Sequence, residues 1–402
     1  MEFQYLYNPV LHSGITNIVK SNDSYYYGAD GKQYIDLESG IWCASVGHNH
    51  PVINQIIKNQ LDKLSHISKR VLPSDMDNIA QKILMLAGIN GKIIFLNTGS
   101  EAIEFSLIIS RLIHKDSQLI SFENNYVTAY GQATKPDIKI DISNCLQCNK
   151  DICCTKCEVL KDKLTKNCIF IFDPFCFSRQ ILIPHKKLMQ TVEEEIRNKK
   201  GIIIVDEITT GMGRTGKWFG FQHFKIKPDI IVLGKSLGNG YPVSAVMINE
   251  NIIHKTEKTG FLYYQSHQND PLGCKIAESV IHVIENENLI ERSKQIGKEF
   301  LAHLQNQLKG IEVVKNIRGI GLLIGIELEK EVKAEKVAQE LIKMGIIIGI
   351  SVKFNMLNII PSYTIKEYLL PEIAEKIGMA IQIIEVKQKN ETGLRQLSYY
   401  RA

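Results

Sequence analysis

Three apolar runs end in side chains that can do chemistry. The run KIIFLN (92–97) leads into Thr98, Gly99, Ser100 and Glu101, the run GIIIVDE (201–207) ends on Asp206, and DIIVLGK (229–235) ends on Lys235. Thr98 and Glu101 have the spacing of a capping box, and the residues after them carry apolar side chains at helical spacing: Ala102, Phe105, Ile109, Leu112 and Ile113. Gly99 and Ser100 then sit in a first helical turn, where outward N–H groups, a hydroxyl and the helix dipole favour a phosphate. A plain capped helix would look the same. Asp206 closes a buried strand, so it needs a partner. That partner is either a protonated ring nitrogen, which a carboxylate keeps protonated, or a structural one, as an N-cap or an ion pair with Arg214. Lys235 would be partly desolvated at its strand end. Desolvation lowers an amine's pKa, so the neutral form can condense with an aldehyde and later act as a base. A lysine after a strand is otherwise ordinary surface.

The elements that must position these residues read as a parallel α/β sheet. Short apolar runs, CIFIFD (168–173) among them, alternate with longer amphipathic stretches, as strands covered on both faces by helices do. Ligands in such sheets sit at the carboxyl ends of the strands. From about residue 290 the text turns helical, then gives VVKNIRGIGLLIGIEL (313–328), more helix and a strand-like GIIIGISV (345–352). The expected organisation is a large domain over 46–290, a smaller α+β domain over 291–402, and an N-terminal segment, 1–45, that packs with the smaller one. The polar tail at 387–402 reads as loosely held.

Composition bounds the function. With 402 residues, 44% hydrophobic and 23% charged, the chain is globular and long enough for a substantial core. A net charge of +5 from 48 basic and 43 acidic residues forms no dense basic run, which argues against nucleic acid as a partner. The opening MEFQYLYNPV is not a signal peptide and no stretch of 18 apolar residues follows, so the expected setting is cytoplasmic, with no membrane partner. Of nine cysteines, five crowd into CLQCNKDICCTKC (145–157). Cys145 with Cys148 and Cys154 with Cys157 form two CxxC pairs that could hold zinc or an iron–sulfur cluster. A cysteine-rich surface loop is the other reading.

Taken together and in order, NTGSEAIE (97–104), VDEITTGMGRTG (205–216) and KPDIIVLGKSLGNGYPVSAV (227–246) resemble the phosphate-binding, ring-binding and Schiff-base signatures of the class III aminotransferases. The 29-residue step from Asp206 to Lys235 suits that family, and DGKQYIDLESG (30–40), GHNHP (47–51), SHQNDPLGC (266–274) and IRGIGLLIGIEL (317–328) extend the resemblance over nearly the whole chain. It implies the fold type I architecture: an α/β large domain with a mostly parallel, seven-stranded sheet, plus a smaller α+β domain. The implied activity is pyridoxal-phosphate-dependent transfer of an amino group from an amine or amino acid to a keto acid or aldehyde, by a ping-pong route. An aminomutase or racemase on the same site is the enzymatic alternative, and a non-catalytic relative with a metal-binding cysteine cluster is the third.

Carried over by position, the resemblance implies that Gly99 and Ser100 bind the cofactor phosphate, Asp206 pairs with the ring nitrogen and Lys235 forms the Schiff base. Tyr126 in FENNY (122–126) stacks on the ring, with Val127-Thr128 where the family usually has His-Gly. Thr209 stands where a glutamine often faces the phenolic oxygen, and Ser266 where a threonine reaches the neighbouring subunit's phosphate, which implies a homodimer with shared sites. Gly40, Ile41 and Trp42 fall where members line the substrate pocket, although Trp42 is equally readable as a core residue. Two departures concern the substrate. Asn358, in NMLNIIPSY (355–363), replaces the arginine that often holds a carboxylate, and Ser178, in DPFCFSRQ (173–180), replaces that arginine's usual glutamate partner. Joint loss avoids a lone buried charge and points to a changed substrate. Arg179 is the candidate replacement for the clamp.

Overall fold

A computed structural model describes residues 17–68, 70–71, 73, 75–123, 125–142, 145, 163–175 and 180–399. Fifteen strands are found among them. Seven form one sheet: β4 (Gly91–Leu96), β5 (Leu119–Phe122), β6 (Ile138–Ile140), β7 (Ile169–Phe172), β8 (Ile202–Asp206), β9 (Ile230–Leu233) and β10 (Ser244–Asn249). Their order is β4-β10-β9-β8-β7-β5-β6. β10 runs antiparallel to both neighbours, and every other pairing is parallel. The mostly parallel seven-stranded sheet expected from the sequence is therefore present.

Burial on both faces explains the unbroken apolar text of the central strands. In β8, Ile203 and Val205 join one core cluster while Ile202 and Ile204 join the other, so successive side chains serve opposite layers. The helix Gly99–Ile113 covers the second face with Ala102, Ile103, Phe105 and Ile109. Its cap differs slightly from the expected box. Thr98 Oγ1 accepts the Glu101 N–H at 3.2 Å, but Glu101 reaches back to the Asn97 N–H at 3.0 Å, one residue beyond the cap.

Two four-stranded sheets complete the molecule. One has the order β1-β2-β3-β13, from Ile18–Asn22, Tyr25–Gly28, Gln33–Asp36 and Ile346–Ile347; the other runs β11-β12-β15-β14, from Val314–Ile320, Leu323–Leu328, Met356–Ile359 and Gly349–Ser351. GIIIGISV is thus two strands rather than one. Ile346 pairs with Ile35 in parallel, whereas Gly349 pairs with Asn358 antiparallel, and the chain changes sheets at the buried Ile348. The polar tail continues the helix Leu370–Tyr399. Arg214 stitches the sheets to the pocket floor: buried, it donates to the carbonyls of Leu322 and Pro361 and to Ser45 Oγ, with its guanidinium 4.6 Å from the Tyr363 ring. Among the described residues, no helix is long and apolar enough to cross a membrane.

Candidate active site

Lys235 leaves β9 through Gly234 and opens a short turn, Lys235–Gly238, with φ of 42°. That left-handed backbone costs a non-glycine residue about 1–2 kcal/mol and persists only where the surroundings fix it. Here Leu237 N donates to Gly234 O at 2.9 Å, and the hydroxyls of Ser236 and Ser45 lie 2.5 Å apart. The turn carries Lys235 Nζ to 4.2 Å from the centre of the Trp42 ring. Burial pushes this amine down to about 8, against the pull of Asp206, Cys43 and Asp173.

Asp206 ends β8 on the same rim. Its side chain is buried, and among the described residues it receives one hydrogen bond, from Ile208 N at 2.9 Å. Burial holds its carboxyl well above the usual range, and the neighbouring Asp173 carboxylate adds to the shift. Asp173, at the end of β7, accepts the Phe175 N–H at 2.8 Å. The residue could have been noticed from the sequence, because CIFIFD runs into an acid in the same way that GIIIVDE does. The ion pair between Asp206 and Arg214 does not form: both terminal nitrogens of Arg214 are turned to carbonyls and Ser45, and its buried Nε has no partner among the described residues.

The opposite wall is the start of the helix Gly99–Ile113. A Cβ on Gly99 would lie 2.6 Å from Ile208 Cδ1, so any larger residue there would push the Ile208 side chain aside. Ser100 Oγ accepts the Ala129 N–H at 3.1 Å and ties that helix to the loop bearing Tyr126, Val127 and Thr128. Tyr126 is 40% exposed over the opening.

The remaining wall is a turn that sequence reasoning did not foresee. Ser39, Gly40, Ile41 and Trp42 have φ of 48°, 58°, 58° and 66°, a run of left-handed residues that L-amino acids rarely form consecutively. Asp36 braces it: its carboxylate accepts from Glu38 N at 2.8 Å and Gly40 N at 2.7 Å, and His48 Nε2 lies 2.8 Å away. Trp42 reaches Lys235 because of this brace.

One cavity of about 460 Å³ collects Trp42, Gly99, Ser100, Tyr126, Asp206, Thr209 and Lys235, together with Thr98, Ile208 and the 127–129 loop. That is within the roughly 300–1,000 Å³ of small-molecule sites. Two sequence-predicted residues lie elsewhere. Ser266 is exposed on a turn outside the lining, and Asn358 is buried in β15 with Oδ1 lacking a partner among the described residues. Arg179, Cys148, Cys154 and Cys157 fall outside the described residues, and Cys145 is buried in the core.

Comparison with known proteins bears on this geometry. The family model for aminotransferase class-III matches residues 7–381. An acetylornithine aminotransferase from Methanocaldococcus jannaschii is 31% identical over 329 residues, covering 78% of this chain and 80% of the relative. Ornithine aminotransferase 1 from Staphylococcus aureus is 34% identical over 319 residues, covering 76% and 80%. The crystal structure of a Bacillus anthracis aminotransferase superimposes with a TM-score of 0.86 at 26% identity, covering 95% of this chain and 97% of that one.

Proposed function

Since the chain belongs to the class III aminotransferases, pyridoxal-phosphate enzymes that pass an amino group from a small-molecule donor to a carbonyl acceptor, we propose that Lys235 holds the cofactor and Asp206 faces its ring nitrogen. One observation carries the assignment: a buried amine of lowered pKa and a buried carboxylate with a single N–H donor among the described residues share a cavity with a helix N-terminus. These residues fit the group. A buried acid with one hydrogen bond has room for a charged N–H, and a helix start suits a phosphate. Gly99 and Ser100 would hold the phosphate, Tyr126 the ring face and Thr209 the phenolic oxygen. Pyridoxal phosphate, when bound, supplies an electron-withdrawing ring that stabilises negative charge at the carbon beside the transferred nitrogen.

The chain's residues do the rest. A pKa of about 8 leaves roughly one Lys235 in ten neutral at pH 7, against about one in three thousand for an unshifted lysine, so the amine is available both to condense and to accept a proton. Lys235 Nζ takes the proton leaving the donor's carbon and returns one on the acceptor's side of the cycle. Asp206 keeps a proton on the ring nitrogen in both directions, which its one-donor environment leaves it free to do. Trp42, Ile41 and Val127 give the substrate side of the cavity an apolar wall.

Ser266 belongs to the same reading through a homodimer, in which its exposed hydroxyl serves the neighbouring subunit's cofactor phosphate. For the substrate, the cavity lining among the described residues holds no cation besides Lys235, and a neutral Asn358 replaces the family's carboxylate-binding arginine. On this reading the family's carboxylate contact is changed, and Arg179, which lies outside the described residues, is the candidate replacement. The test is a half-reaction screen of amines, diamines and amino acids. Bleaching of the cofactor's visible band by one donor, and its restoration by a keto acid or aldehyde, is the expected result. Interconversion of a single compound with no acceptor would instead establish the mutase or racemase.

A further inference from the structure

The turn that carries Ser266 is also a place where three ligating side chains converge. His66 Nδ1 lies 2.6 Å from Asp270 Oδ1, and His267 Nδ1 lies 2.5 Å from Asp270 Oδ2. The imidazole rings are 4.9 Å apart and tilted by 52°, and one donor atom from each residue falls within 4.8 Å of the other two. The carboxylate's orientation is a separate observation. Asp270 is the N-cap of the helix Pro271–Asn286 yet makes no side-chain cap hydrogen bond, the bond an aspartate there ordinarily contributes. It is turned outward, onto the two imidazoles.

Two of the three donors are held on a rigid turn. Phe95 N donates to Asn269 Oδ1 at 2.8 Å and Asn269 N to Phe95 O at 2.9 Å, fixing the turn to β4. Gln265 N donates to Gln268 Oε1 at 3.1 Å and His267 N to Gln265 Oε1 at 2.5 Å, bracing it from within. The third donor, His66, arrives from the segment that follows the helix Pro51–Leu61. Donors pre-set in this way lose little freedom when an ion arrives.

We propose that His66, His267 and Asp270 form a binding site for a divalent transition-metal ion of the zinc type, beside the turn that presents Ser266. Two imidazole nitrogens and one carboxylate oxygen suit zinc, nickel or copper better than magnesium or calcium, which prefer all-oxygen shells. All three side chains keep solvent access, so a water completes the coordination. The ion replaces the two N–H donations to Asp270 with bonds to the same three residues, and it ties the segment at His66 to the turn. The site rests on these contacts alone and stands whether or not Ser266 serves a neighbouring subunit.

Calorimetric titration of the holoenzyme with zinc chloride tests it, in a form whose Cys148, Cys154 and Cys157 are serine so that thiolates do not compete. One equivalent should bind. H267Q and D270N should each weaken binding at least tenfold with the cofactor band and melting temperature retained, while H282Q, at an exposed histidine elsewhere, should leave it unchanged. Cobalt added to the same serine-substituted holoenzyme gives a second readout: weak visible bands of nitrogen and oxygen ligation, lost in H267Q, without intense thiolate absorption. No binding, binding indifferent to H267Q and D270N, or a cobalt spectrum of thiolate ligation alone would overturn the proposal.

Discussion

Asp206 and Glu207 are consecutive, both are carboxylates and both are buried, yet they are used in opposite ways. Glu207 accepts from Thr210 Oγ1 at 2.7 Å, Gly220 N at 2.8 Å and Phe221 N at 2.7 Å, so it organises the loop after β8; burial still pushes it up to about 7. Asp206, pointing the other way from the strand end, has one N–H donor among the described residues and faces the cavity. Period-two alternation separates the two neighbours into different surroundings. Where donors saturate a buried charge it shapes the fold, and where they are withheld the charge is left for a ligand.

Substitutions can sharpen or break that contrast. The largest effect belongs to Asp206's cavity partner: K235A should lower turnover by about 10³-fold or more, because it removes both the attachment point and the base. D206N should cost about 10²-fold in turnover, with the melting temperature little changed, since the amide matches the carboxyl in size and burial already disfavours the charge there. E207L should do the reverse. It leaves three donors without an acceptor, which costs about 3 kcal/mol of stability by denaturant titration, while the protein that remains folded keeps turnover within a few-fold. If D206N unfolds the protein and E207L abolishes turnover, the two roles have been assigned the wrong way round.

The pH dependence is a finer probe. Burial lowers the Lys235 pKa, so raising the pH releases the neutral amine earlier than for a free lysine: cofactor capture by the apo-enzyme should rise with pH through a midpoint at about 8 and level off roughly a unit above it. A rise continuing past pH 10 would mean the amine is not desolvated. The smallest expected effect is that of W42L. The ring 4.2 Å from Nζ favours the charged amine, so its loss should move the same midpoint down by about half a pH unit.

Much of this site was legible because apolar runs lead straight into polar residues at strand ends, which marked Asp206, Lys235, Gly99 and Ser100. Asp173 obeys the same rule, closing CIFIFD as Asp206 closes GIIIVD. The left-handed turn at 39–42 could not be read, since its φ values depend on Asp36 and His48 bracing it from outside the turn. Arg214 looked like a partner for Asp206 by proximity in sequence, but its donors go to carbonyls 108 and 147 residues away. GIIIGISV hid a change of sheet, because buried strands read alike whichever partner they pair with.

The most direct test of the central claim is reductive trapping with borohydride followed by peptide mass analysis. The account predicts that the cofactor's mass is retained on the peptide containing Lys235, and that K235A retains none. Cofactor trapped on a different lysine, or no trapping by a protein saturated with pyridoxal phosphate, would contradict it.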